Sequence, residues 1–193
     1  DITEVRIAFD GDAVLFDPAS QQLFDEQGLE AFHEHESAHA DEPMSPGPFR
    51  PFLEGLARIQ AHFGTNSPVR TALVTARAAP AHYRVVNTLR AWGVNVDETY
   101  FLGGVEKTEV LRAFGAHIFF DDQRVHAERA ATTVPAAQVL WSEDDLPPAQ
   151  AAKRAASVKG RGRSRSGSKA KKPITPREAK RQAAPRARAR SER

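Results

Sequence analysis

Two carboxylates, Asp10 and Asp12, stand on either side of Gly11 directly after the largely apolar run Val5-Arg6-Ile7-Ala8-Phe9. On its own such a pair reads as a turn or a cap, because Asp-Gly is an ordinary turn dipeptide and Asp often begins a helix. Three further polar clusters change that reading. Thr75 closes the run 71–74, Lys107 follows the next run, and Asp121 and Asp122 close the run 117–120. Together these residue types meet the needs of phosphoryl transfer from a monoester. The phosphate of a monoester carries nearly two negative charges, so an anionic nucleophile approaches it only where cations neutralise the site. Asp10, Asp12 and Asp121 or Asp122 would hold Mg²⁺, a hard ion that prefers oxygen ligands. Lys107 adds a point charge. Thr75 and the backbone N–H groups after Asp10 offer hydrogen bonds to the equatorial oxygens, and Gly11 lets the backbone come close.

Residues so far apart in sequence need a scaffold that gathers strand ends. Short apolar runs alternate with helical patterns along the chain, which is the signature of a parallel sheet covered by helices. Strands are expected at 5–9, 71–74, 98–102, 117–120 and 137–140, the last just before Trp141. The first, second and fourth end on polar clusters, and ligands of open parallel sheets bind beyond the carboxyl ends of the strands. Helical spacing predicts crossover helices at 81–92, with Val85, Leu89 and Trp92 on one face, and at 107–114, with Val110, Leu111 and Phe114. Gly93 and Gly115 are placed to stop them. The long stretch 17–70 holds a polar helical pattern at 20–39, a break at Pro43, Pro46, Pro48 and Pro51, and a helix at 52–63. Its first part, Ser20 to about Gly47, reads as a small cap over the active edge. The expected architecture is α/β: a Rossmann-like parallel sheet with a small helical cap inserted after the first strand.

A chain of 193 residues suits one ordinary domain with a core. No apolar run approaches the roughly 20 residues of a membrane-spanning helix, so a soluble protein is expected. The absence of Cys excludes disulfides, a thiol nucleophile and thiolate metal sites. The formal net charge of +2 conceals an asymmetry: 16 of the 27 Lys and Arg lie in residues 153–193, together with only two of the 25 acids. That segment has almost no large apolar residue and is expected to be disordered. The organisation expected is therefore a catalytic domain over 1–150, with the cap at about 17–50, and a basic tail over 151–193. The start, Asp1-Ile2-Thr3-Glu4, has neither an initiator Met nor a signal-peptide pattern, and reads as a fragment or a processed chain.

The four clusters resemble, in order and type, the four motifs of the haloacid dehalogenase superfamily of phosphohydrolases over roughly residues 5–140. Within it, several stretches are similar to the cytosolic 5′-nucleotidases of class I. These are Arg6-Ile7-Ala8-Phe9-Asp10-Gly11-Asp12-Ala13-Val14-Leu15-Phe16, Gln27-Gly28-Leu29-Glu30, Thr71-Ala72-Leu73-Val74-Thr75-Ala76-Arg77, Leu89-Arg90-Ala91-Trp92-Gly93 and His117-Ile118-Phe119-Phe120-Asp121-Asp122-Gln123. The resemblance implies that Asp10 attacks phosphorus and forms an aspartyl phosphate. It implies that Asp12 protonates the departing ribose 5′-oxygen and later removes a proton from the hydrolytic water. Thr75 and Lys107, with Gly11 and Ala76 beside them, match the phosphate-binding positions, and Arg77 is a further candidate for substrate contact. Asp121 and Asp122 match the metal-binding pair, completed by Asp10 and the backbone carbonyl of Asp12.

The function implied by the resemblance is that of a Mg²⁺-dependent 5′-nucleotidase acting on nucleoside 5′-monophosphates in the cytoplasm, with homo-oligomer formation open to it. A phosphatase of another small metabolite would use the same machinery, because fold and site do not set specificity. Two features depart from the family pattern: members usually carry a further N-terminal region before the first strand, and the basic tail is foreign to them. The tail's charge would attract nucleic-acid phosphates without sequence preference, through counterion release. The plainer alternative is a solubilising extension.

One rival motif is present. His35-Glu36-Ser37-Ala38-His39 satisfies the His-Glu-x-x-His pattern of zinc hydrolases. A metalloprotease would also need a third ligand and an edge strand, and no obvious partner lies at a suitable spacing, so the stretch reads as a solvated polar helix carrying Glu34, Glu36 and three His. Phe16, Phe24 and Phe32 read as packing residues, with Phe16 near enough to Asp10 to face a nucleoside. Trp92 and Trp141 read as core, and His82, His117 and His126 as structural or solvent-facing.

Overall fold

The structure is a computed structural model and describes residues 3–140, so Trp141 and the basic tail lie outside the described residues. Five strands, β1 (Val5–Phe9), β2 (Val69–Thr75), β3 (Glu98–Phe101), β4 (Ile118–Asp121) and β5 (Ala136–Gln138), form one sheet in the order β3-β2-β1-β4-β5. Every pairing is parallel, with Phe9 opposite Leu73 on one side and Phe120 on the other. The helices are α1 (Ala19–Ala38), α2 (Arg50–Phe63), α3 (His82–Trp92), α4 (Thr108–Phe114) and α5 (Arg124–Ala130). From β1 the chain winds outward through β2 and β3, then returns to build β4 and β5 on the opposite side. The strand order reverses between β1 and β4, which is where such sheets open a crevice for ligands.

Side-chain alternation along the central strands divides the apolar residues into two cores. Ile7, Phe9 and Leu73 pack on one face with Leu53, Leu56, Val85 and Leu89. Ala8, Ala72, Val74 and Phe119 pack on the other with Leu111, Phe114 and Ala130. Burial on both faces explains the unbroken apolar stretches Ile7-Ala8-Phe9 of β1 and Ala72-Leu73-Val74 of β2. The two crossover helices end as their glycines require. Gly93 and Gly115 adopt left-handed conformations, and the N–H groups of Val94 and Ala116 return to Leu89 and Leu111, each at 3.1 Å.

Two elements depart from the sequence reading. α5 lies outside the expected helices, because its inward residues, Ala127 and Ala130, are too small to mark a periodic stripe. α1 is two helical segments joined at Gly28, whose φ of 82° and ψ of −177° break the helix. Phe16 does not face a ligand: it is fully buried, its ring 5.5 Å from Trp92. His117, immediately before β4, accepts the Arg6 N–H through Nδ1 at 2.9 Å.

The segment after β1 folds back tightly on itself. The Gly11 carbonyl accepts the N–H groups of Leu15 and Phe16 at 2.9 and 3.0 Å, and the Gly47 N–H donates to the Leu15 carbonyl at 2.8 Å. A Cβ at position 47 would lie 2.4 Å from the Phe16 carbonyl oxygen and 2.5 Å from that of Val14. Only glycine lets the base of the cap lie against the loop that follows Asp10.

Candidate active site

Three of the four polar clusters are delivered by the end of a strand. The Asp10 N–H continues the ladder beyond β1 by donating to the Phe120 carbonyl at 2.8 Å, and the Thr75 carbonyl, at the end of β2, accepts from Leu102 at 2.9 Å. Asp121 closes β4 and Lys107 immediately precedes α4. The structure brings these together: Lys107 Nζ lies 2.7 Å from Asp10 Oδ1 and 2.6 Å from Asp121 Oδ2. All three side chains are buried. The second oxygen of Asp121 is held by the Gln123 N–H at 2.9 Å. Thr75 is buried beside them, its Oγ1 accepting the Arg77 N–H at 3.2 Å. A Cβ at Gly11 would stand 3.3 Å from that hydroxyl, so Gly11 and Thr75 share one close-packed wall. The backbone of Ala76 accepts from Gly104 at 3.0 Å, tying the loop after β2 to the loop after β3.

Asp10, Asp121 and Asp122 each place a carboxylate oxygen within 4.8 Å of the other two. Three buried or half-buried carboxylates against one ammonium leave negative charge without a counter-ion, and the donors are all hard oxygens. This set fits a small divalent cation such as Mg²⁺. The electrostatics point the same way. Burial, opposed by Lys107 and reinforced by Asp121, pushes the Asp10 carboxyl up to about 7. Burial and the Asp121 charge raise Asp122 to about 6. Burial works against the Lys107 ammonium, yet Asp10 and Asp121 more than offset it and raise its pKa.

The Asp12 side chain stands outside that cluster. Arg77 grips it with two hydrogen bonds, Nε to Oδ2 at 2.8 Å and Nη2 to Oδ1 at 2.7 Å. The guanidinium continues to Glu36, whose Oε2 accepts from Arg77 Nη1. Glu36 Oε1 accepts from Arg84 Nη1 at 2.8 Å and Ser20 Oγ at 2.9 Å, and lies 3.1 Å from His35 Nδ1. Burial alone would raise the Glu36 carboxyl, but Arg77 and Arg84 hold it down at about 2.

This corrects the reading of 35–39 as a solvated helix. Glu36 is fully buried in an ion-paired network, because it follows Phe32 by four residues and so shares the inward face of α1. It is no general base for zinc hydrolysis either, since it is fully buried between Arg77 and Arg84 and belongs to no group of metal-binding side chains among the described residues. His35 and His39 stack at 4.2 Å, but His39 Nδ1 bonds the His35 carbonyl at 2.7 Å. Among the described residues the aspartate cluster is the only group of three or more metal-binding side chains. Sequence reasoning missed Glu36, Arg84 and Ser20. The four-residue step from Phe32 was the available sign for Glu36, while nothing in the sequence marks Arg84 as its partner.

A parallel sheet of this order, with a lysine-bridged aspartate cluster where the order reverses, defines a Rossmann-like α/β domain with an acidic site at its switch point. The model of the 5′-nucleotidase family matches residues 1–145, and the chain belongs to that family. It is 44% identical over 134 residues to human cytosolic 5′-nucleotidase 1B, a match that covers 66% of this chain and 22% of that protein. The chain thus spans about a fifth of the length of this curated relative. Its fold is similar to that of a Thermotoga maritima protein assigned as a β-phosphoglucomutase, with a TM-score of 0.51 at 16% identity, covering 79% of this chain and 91% of the other. No described helix is long and apolar enough to cross a membrane.

Proposed function

We propose that this chain hydrolyses nucleoside 5′-monophosphates to nucleoside and phosphate in the cytosol, with Asp10 as nucleophile and Asp12 as acid and base. The observation that carries the reading is the Lys107 ammonium bridging Asp10 and Asp121 at the sheet's switch point, beside Thr75 and Asp122. Family membership supports the 5′-nucleotide as substrate.

In the first step a carboxylate oxygen of Asp10 forms a bond to phosphorus while the bond to the ribose 5′-oxygen breaks. The protonated Asp12 gives its proton to that oxygen, and the nucleoside leaves neutral. In the second step Asp12 takes a proton from water as the water oxygen bonds phosphorus, and Asp10 departs as a carboxylate. Thr75, Lys107 and the backbone beyond Asp10 hold the equatorial oxygens, where charge gathers in the transition state. Asp10, Asp121 and Asp122 would hold Mg²⁺ together with the Asp12 carbonyl, and the ion supplies positive charge that lets an anionic nucleophile meet an anionic phosphate.

Phosphate release from a panel of nucleoside 5′-monophosphates and sugar phosphates, in Mg²⁺ or in EDTA, tests the proposal. Nucleotides are expected to be cleaved best and only with the metal; preference for a sugar phosphate would shift the assignment to the small-metabolite alternative. The basic segment 151–193 is proposed, on composition alone, to add a salt-sensitive contact to nucleic-acid phosphates.

The raised carboxyl pKa values give a second test. Carboxyls that are protonated in the fold up to pH 6 or 7, but ionised near pH 4 when unfolded, make the metal-free fold lose stability as pH rises through that window. Mg²⁺ binds the ionised form, so its benefit grows as these protons leave. The difference in melting temperature between Mg²⁺ and EDTA is therefore expected to widen from pH 5 to pH 8. Taking the difference cancels the opposite contribution of His35, whose pKa burial lowers, while His126, also lowered by burial, lies 3.6 Å from Asp121, so loss of its proton favours the ion and widens the difference in the same direction. A constant or shrinking difference would contradict the assignment.

A further inference from the structure

We propose that Glu36 is a positioning residue for Asp12: it holds Arg77, and the two-point grip of Arg77 sets the acid/base carboxylate, so that one chain of ion pairs ties the cap to the chemistry. The inference rests on the reading of Asp12 given under Proposed function.

Four observations carry it. Asp12 and Glu36 are bound by different edges of one guanidinium, and the Arg77 side chain is only 2% exposed, so water offers it no substitute partner. The two hydrogen bonds to Asp12 fix the plane of its carboxylate as well as its position, as a fork meeting a carboxylate does. Glu36 is in turn fixed from both sides: Ser20 and His35 belong to α1, Arg77 and Arg84 to the loop after β2 and to α3. The ring centroid of Phe32, one turn before Glu36, lies 5.2 Å from the guanidinium carbon, so the ring covers one face of the guanidinium. A fully buried carboxylate between two arginines is an expensive way to fasten a helix, since an apolar contact would do so at less desolvation cost. Its placement is explained by what Arg77 does next, which is to aim Asp12.

A residue that merely holds the cap and a residue that aims the acid are separated by the leaving group. A nucleoside 5′-alkoxide needs a proton from Asp12 to depart, whereas p-nitrophenolate leaves without one. The experiment uses the full 193-residue chain in Mg²⁺ and compares wild type with Glu36→Gln, Glu36→Asp, Arg77→Lys and the Glu36→Gln/Arg77→Lys pair. The substrates are the best nucleotide from the panel and p-nitrophenyl phosphate, the latter followed through the first turnover. Glu36→Gln is expected to lower kcat on the nucleotide about 100-fold with KM within about threefold, while first-turnover release of p-nitrophenol stays within about threefold. Glu36→Asp restores part of the loss, and the double variant is no worse than Arg77→Lys alone, because both changes break one chain.

Equal losses on both substrates, or additive losses in the double variant, would overturn the proposal and leave Glu36 a cap fastener. Should Glu36→Gln fail to fold, as judged by circular dichroism, Ser20→Ala removes one donor from Glu36 without removing charge and is read by the same ratio: a selective loss on the nucleotide supports the chain, and an equal loss on both overturns it. A wild-type chain that cleaves neither substrate defeats the functional reading itself, an outcome distinct from selective failure of the variants.

Discussion

Asp10→Asn is expected to abolish phosphate release, by at least about 10⁴-fold, while leaving the fold intact. Removal of a nucleophile that takes part in a covalent route costs on this order, because the other groups act through it. The amide keeps an oxygen toward Lys107 and fits the same space. It also removes one charge from a site where burial and Asp121 already push the Asp10 carboxyl up to about 7. In EDTA at pH 8 the variant is therefore expected to melt at or above the wild-type temperature, with the benefit from Mg²⁺ reduced. Acid quench of the wild type with nucleotide labelled at phosphorus should trap label on the protein, and the variant should trap none. Turnover that persists in Asp10→Asn would refute the mechanism.

Lys107→Met carries the largest expected effect on stability. Methionine fills much of the same volume but leaves Asp10 and Asp121 buried without their shared cation, and the ammonium now lies within 2.7 Å of both. Breaking a buried pair from one side costs about 3–5 kcal/mol. In EDTA the variant is expected to lose a large part of its melting temperature and to become more sensitive to rising pH. Mg²⁺ should recover more of the loss than it adds to the wild type, because the variant's cluster is the more negative. Activity would still fall about 100- to 1,000-fold, since the ion cannot also replace the charge that Lys107 brings to the transferring phosphate. Scanning calorimetry in EDTA and in Mg²⁺ reads the first part, and an unchanged melting temperature in EDTA would sink it.

The contrast between Lys107 and Glu36 shows where sequence reasoning reached and where it stopped. Strands were legible because apolar runs in a sheet covered on both faces have no solvent side to blur them, and β1, β2 and β4 led straight to Asp10, Thr75 and Asp121. Lys107 was found by its place in that order. The helix stops were legible from Gly93 and Gly115, whose left-handed conformations favour that residue. Glu36 was hidden because its one sign, the four-residue step from Phe32, is faint in a helix rich in charge, and its cations, Arg77 and Arg84, lie 41 and 48 residues further along the chain. Arg77 was singled out for the substrate, and its grip on Asp12 depends on a loop conformation that spacing does not encode. α5 escaped for a simpler reason: two alanines turned inward make too weak a stripe.

The separations inside the site bear on how the chain acquires activity. Lys107 meets Asp10 across 97 residues and Arg77 meets Asp12 across 65. Closing loops of that length is among the slower steps available to a small domain, and helices form long before it. A nascent or partly collapsed chain can thus be rich in secondary structure and chemically inert. The hydrolytic centre comes into being only when β1 is flanked by both β2 and β4, which makes catalysis itself a report on completed folding.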